Sequence, residues 1–179
     1  MKGKPVIAVC GSVKGEIKKG SDTKAREVGR AVAENNAILL TGACGGLPFE
    51  AVSGAKESGG LTVGVSGASD KLRHLEMHHC PTDAFDFVAY TGFGLKGRNV
   101  VAVRSADAVI IIGGGVGTLN EVTIALDEGR ILGVLLGTGG IADALRSLLK
   151  KLKSNREYRV VYSKNPRELV QLVMKEIRR

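Results

Sequence analysis

The chain contains no tryptophan and only 4% aromatic residues. Its core must therefore rest on Val, Ile, Leu and Ala rather than on large rings. Its three cysteines, Cys10, Cys44 and Cys80, are too sparse and odd in number for a disulfide framework. They suit a reducing compartment. No run approaches the roughly 18 apolar residues of a membrane span. The segment Met1-Lys2-Gly3-Lys4-Pro5 passes straight into a strand pattern, without the long apolar stretch of a secretion signal. These absences predict a cytoplasmic protein with no membrane attachment. At 179 residues, 44% hydrophobic and 25% charged, the chain is expected to form a single globular domain.

Glycine is plentiful, with 25 residues. The glycines recur just after short apolar runs, where a strand would turn into a helix. Charge is unevenly spread. Residues 146–179 hold 11 Lys/Arg against 3 Asp/Glu, whereas residues 1–145 hold 15 of each. The net charge of +8 therefore lies in the last two helical segments. Such a tail can attract polyanions. Its only aromatics are Tyr158 and Tyr162, so two solvated helix faces are expected there in preference to a nucleic-acid surface.

Short β-rich runs alternate with helical patterns. The predicted strands are Val6–Cys10, Ala37–Leu40, Leu61–Val65, Phe85–Tyr90, Ala108–Ile112, Ile131–Leu136 and Tyr158–Tyr162. Several are apolar on both faces, as strands covered by helices on both sides must be. Helical periodicity is clearest at Ile141, Ala144, Leu145, Leu148, Leu149 and Leu152. Ala25, Val28, Val32 and Ala33 mark a first helix that Ser21 or Asp22 could cap. Asn165-Pro166-Arg167-Glu168 reads as the capped start of the last one. Strand then helix, repeated, predicts an α/β, Rossmann-like, doubly wound and mainly parallel sheet of about seven strands. Ser66–Ala84 breaks the rhythm and is expected to be a long binding loop without a helix.

In such a sheet ligands bind beyond the carboxyl ends of the strands. Three glycine loops fall there: Cys10-Gly11-Ser12, Thr41-Gly42-Ala43-Cys44-Gly45-Gly46, and Gly113-Gly114-Gly115-Val116-Gly117-Thr118. Missing side chains let a phosphate approach backbone amides. The last loop is not a dinucleotide fingerprint, because Gly115 and Gly117 are not followed by the third glycine. Nor is it a P-loop, because no Lys-Ser/Thr pair follows. Thr118-Leu119-Asn120-Glu121 fits a capping box. As a ligand residue, Glu121 would face a ribose or base, since a carboxylate repels phosphate. Arg98 fits either a surface helix position or a counter-charge for the ligand.

Arg98-Asn99, then Ser105-Ala106-Asp107-Ala108, then the run from Gly113 to Glu121 resembles the Lonely Guy (LOG) proteins of the SLOG superfamily, once labelled possible lysine decarboxylases. That pattern is an Arg-Lys pair, an Asp-Ala before an apolar strand, and Pro-Gly-Gly-x-Gly-Thr-x-x-Glu. The spacing from Arg98 to Glu121 is the same, and the resemblance covers roughly residues 5–140. It implies a homodimer or higher homo-oligomer. It also implies a phosphoribohydrolase that cleaves nucleoside 5′-monophosphates to base and ribose 5-phosphate, with Arg98 and Glu121 catalytic.

Asn99 stands where those enzymes have Lys, and Gly113 where they have Pro. Both substitutions look more like the branch that includes molybdenum-cofactor carriers. A lost cation weakens support for an anionic ligand or leaving group. Nothing marks a pyridoxal-phosphate lysine; the nearest, Lys96, has no recognisable context.

The expected site is Gly11, Ser12, Gly42, Gly45, Gly46, Arg98, Gly114, Gly115, Gly117, Thr118 and Glu121. Its ligand is expected to be phosphate-bearing, an AMP-like nucleotide or molybdenum cofactor, and no further cofactor is required. The leading expectation is a carrier-like binder. The alternatives are the phosphoribohydrolase and, third, nucleic-acid binding through the basic C-terminal region. His74, His78, His79 and Cys80 match no zinc pattern, so no metal site is expected. Cys10 and Cys44 are expected to serve as small packing residues.

Overall fold

The computed structural model describes residues 3–13, 17–79, 82–152 and 157–179. Each apolar run predicted as a strand forms one: β1 (Val6–Gly11), β2 (Ile38–Thr41), β3 (Thr62–Ser66), β4 (Phe87–Tyr90), β5 (Ala108–Ile112), β6 (Ile131–Leu135) and β7 (Val160–Ser163). They make one sheet in the order β4-β3-β2-β1-β5-β6-β7. Every neighbouring pair is parallel, so the sheet is wholly parallel rather than mainly so.

Helices α1 (Ser21–Glu34), α2 (Leu47–Glu57), α3 (Lys71–His78), α4 (Gly94–Arg104), α5 (Val116–Asp127), α6 (Gly140–Lys151) and α7 (Pro166–Arg178) connect the strands and follow the last. Alternation along β1 shows how the faces divide. Ile7 and Val9 pack with Val28 of α1, Val52 of α2 and Val173 of α7. Ala8 and Cys10 join the cluster that holds Val103 of α4, Val122 of α5 and Leu145 of α6. The period of two thus places one helical layer on each face. All five residues of β5 are buried, as befits a strand covered twice.

After β4, at one edge, the chain returns through α4 to lay β5 beside β1 at the centre. Asp107 fixes that pairing, its Oδ2 accepting the Val6 N–H at 2.8 Å. The strand order reverses between β1 and β5, and their carboxyl ends therefore open a crevice.

Several local expectations are corrected. Ser66–Ala84 is not a helix-free loop: α3 lies within it, with Asp70 Oδ1 accepting the Arg73 N–H at 2.8 Å as its cap. Its periodicity is hidden because, among its described side chains, the buried one is His74, held by Ser66 Oγ at 2.8 Å, while Leu72 and Leu75 face outward. Gly20, rather than Ser21 or Asp22, is the N-cap of α1. Arg98 is not a surface helix residue: it sits in the second turn of α4 and is buried. Asn165 does cap α7, accepting from the Glu168 N–H at 3.1 Å. Glu168 instead takes the Ser163 hydroxyl at 2.5 Å, and Ser163 Oγ accepts the Asn165 N–H at 2.9 Å.

Part of the C-terminal basic excess is paired internally. Arg167 bonds Glu27 and Glu34 of α1, and Arg159 and Arg179 bond Glu176. Among the described residues, no helix is long and apolar enough to cross a membrane.

Candidate ligand site at the β1–β5 crevice

The two central strands are joined at their carboxyl ends by close backbone contact. A Cβ at Gly11 would stand 2.3 Å from the Ile112 carbonyl oxygen, so β5 approaches there only because position 11 is glycine. Ser12 Oγ accepts the Gly114 N–H at 2.8 Å, tying the loop after β5 to the end of β1. Gly113 and Gly114 adopt φ of 60° and 96°, in the left-handed region. Their carbonyls turn back to accept the N–H groups of Ala142 and Ile141 at 3.0 and 2.8 Å, at the start of α6.

That fold-back leads directly into α5. Its N-cap is Gly115, and no side chain caps it. Gly115, Gly117 and Thr118 of this turn line the crevice, so among the described residues the uncapped N–H groups and the positive end of the helix dipole lie at its wall. The expected capping box is absent, because α5 starts earlier than that reading requires. Thr118 is already inside the first turn and Glu121 in the second, and both are buried.

The crevice has a volume of about 400 Å³, within the range of small-ligand pockets. Of the expected site, Gly11, Ser12, Gly42, Arg98, Gly115, Gly117, Thr118 and Glu121 line it. Gly45, Gly46 and Gly114 do not. Gly46 caps α2 and packs behind Ser12, whose carbonyl accepts the Leu47 N–H at 2.8 Å. Gly114 lies behind Thr118, and a Cβ at Gly45 would meet nothing within 4 Å. The wall also includes Cys10, Cys44, Leu95, Lys96 and Asn99, none of them in the expected site. Asn99 was visible only as a departure from a family pattern, and Lys96 carried no spacing signal at all.

At the floor, Arg98 Nη1 meets Glu121 Oε1 at 3.3 Å, each side chain only 9% exposed. Arg98 Nε is buried without a hydrogen-bond partner. Gly42 makes room for this guanidinium: a Cβ there would stand 2.0–2.2 Å from its atoms. Burial pushes the Glu121 carboxyl above its ordinary range, and Arg98, the Cys10 thiol and Lys96 each pull it back. Burial, then the Glu121 charge, raises the Cys10 thiol well above its usual value. The shift keeps Cys10 in its thiol form beside the Glu121 carboxylate. Asn99 Nδ2 donates to Asn120 Oδ1 at 2.8 Å and so ties α4 to α5.

The arrangement offers backbone donors for an anion at the rim and an internally neutralised ion pair below. Among the described residues, no group of three or more His, Cys, Asp or Glu side chains could hold a metal ion. The His78 side chain and Cys80 lie outside the described residues.

Comparison with known proteins adds the family. An uncharacterized protein of Archaeoglobus fulgidus is 36% identical over 124 residues, 69% of this chain and 75% of that one. The molybdenum cofactor binding protein of the phototrophic bacterium Rippkaea orientalis superposes with a TM-score of 0.80 at 29% identity, covering 99% of each chain. The molybdenum cofactor carrier protein of Chlamydomonas reinhardtii gives 0.78 at 30% identity, covering 98% of this chain and 99% of that one. The model of the SLOG cluster4 family matches residues 4–170. With nearly its whole length matched, the chain belongs to the SLOG cluster4 family.

Proposed function

We propose that this protein is a carrier that holds a phosphate-bearing pterin or nucleotide-like ligand, foremost the molybdenum cofactor, without cleaving it. The observation that carries this reading is the uncapped first turn of α5 opening through Gly115 and Gly117 onto a ligand-sized crevice. A phosphate at that turn accepts backbone N–H groups that otherwise face water. The full-length likeness to molybdenum-cofactor proteins supports a pterin as the organic part.

Retention without cleavage is supported by the floor. Glu121 is engaged by Arg98 and Cys10, and Asn99, in place of a lysine, spends its amide on Asn120. Neither arrangement prepares an attack by water. Purified protein is expected to bind molybdenum cofactor or AMP saturably and to release no free base from AMP, followed by calorimetry and chromatography. Binding of neither ligand would overturn the reading.

A second reading, the phosphoribohydrolase, is favoured by the raised Glu121 carboxyl, the property of a general acid. It requires base release from AMP that Glu121→Gln abolishes. Either reading is of a single-domain, cytoplasmic, homo-oligomeric protein, and light scattering measures the last.

A further inference from the structure

Lys96 is the third residue of α4, whose N-terminus no side chain caps. Its side chain leaves its own helix and reaches the crevice wall, where the first turn of α5 begins. Nζ lies 3.4 Å from the point a Cβ at Gly117 would occupy. Glycine at 117 thus leaves the ammonium in contact range of the turn whose N–H groups are open. Among the described residues, Lys96 makes no ion pair, unlike Lys56, which meets Asp86 at 2.7 Å.

Charge accounting gives this position its meaning. Among the described residues, the charged ones lining the crevice are Lys96, Arg98 and Glu121. Arg98 and Glu121 neutralise one another at 3.3 Å. The α5 terminus contributes roughly half a positive charge. A phosphate monoester brings about −1.5 to −2 at neutral pH. Among the described residues, the remaining full positive charge on the wall is Lys96, and Asn99 cannot supply it.

We propose that Lys96 is the cation that anchors the ligand's phosphate over the first turn of α5, and that it selects phosphorylated ligands over their phosphate-free counterparts. This rests on the ligand-binding reading above. A flexible ammonium at the rim can follow the phosphate as it docks. The buried Arg98 cannot do so without breaking its pair.

The test uses the full-length protein with two probes, AMP and molybdenum cofactor. Whichever saturates the wild type is then compared with its phosphate-free form. Lys96 is exposed, so Lys96→Gln and Lys96→Arg should fold like the wild type. Lys96→Gln is expected to weaken binding of the phosphorylated ligand by about 10-fold, to leave the phosphate-free ligand unchanged, and to lose most of its effect in high salt. Lys96→Arg should restore binding. Equal affinity of wild type and Lys96→Gln for the phosphorylated ligand would overturn the role of Lys96 alone. Failure of the wild type to bind either probe would overturn the reading of the crevice, and this assignment with it.

Discussion

Two sets of arginine–carboxylate contacts sit in opposite helical layers, and they differ in almost every respect but chemistry. In the layer of α1, α2 and α7, Arg26 meets Glu50 and Glu57, Arg30 meets Glu27 and Glu57, and Arg167 meets Glu27 and Glu34. All of these side chains are between 26% and 50% exposed. In the other layer, Arg104 and Glu128 make one more exposed pair, whereas Arg98 and Glu121 meet long at 3.3 Å and almost fully buried. Exposed pairs cost little to form and contribute little. A buried pair of this quality is commonly no more stable than an apolar pair of the same volume. Where packing alone is at stake, the charges stay in water. Where they are buried, they floor the crevice at the one point of the sheet where strand order reverses. The contrast separates exposed charges that join helices from a buried pair that floors the crevice.

Breaking the buried pair from one side should have the largest effect. Glu121→Ala or Arg98→Ala leaves an uncompensated charge and is expected to cost about 3–5 kcal/mol, read by urea denaturation. Gly42→Ala should come next. Its methyl collides with the guanidinium, and the displacement is expected to cost about 1–3 kcal/mol and to abolish ligand binding without touching either charge.

Replacing both partners sharpens the comparison. Arg98→Met combined with Glu121→Leu should fold with a stability within about 1 kcal/mol of the wild type, or above it. It should also change the pH profile. The Glu121 carboxyl is raised in the folded state, mainly by burial, so the folded protein binds more protons than the unfolded chain between the two pKa values. Its contribution is present below the ordinary glutamate range and lost as pH rises through the raised value. Denaturation midpoints of the wild type should therefore fall relative to the double variant across that window. Arg167→Ala, in the exposed set, should have the smallest effect, and that effect should vanish in high salt.

The strands were legible because their signal is local. Ala108-Val109-Ile110-Ile111-Ile112, short, apolar and β-branched, reads as a strand covered on both faces, and it is one. The glycine loops were legible for the same reason, since chain order alone puts them at the carboxyl edge of the sheet. What stayed hidden depends on neighbours distant in sequence. Among the described side chains of α3 the buried one is His74, hydrogen-bonded to Ser66 through Nδ1, while Leu72 and Leu75 face outward, so they announce no apolar stripe. Thr118 and Glu121 imitate a capping box because helix starts share residue types with ligand sites. Gly42 reads as a turn glycine, yet its neighbour is Arg98, far along the chain. Lys96 gains meaning only when α4 is laid beside α5.

The most direct measurement is the identity and occupancy of the small molecule that co-purifies with the protein. Wild type and the Arg98→Met/Glu121→Leu variant, expressed side by side, would be extracted and read by mass spectrometry. The expected result is a phosphate-bearing pterin or nucleotide, intact, in the wild type and absent from an equally stable variant. Equal occupancy in both proteins, or a wild type that carries and binds no such molecule, would contradict a buried pair kept for a ligand.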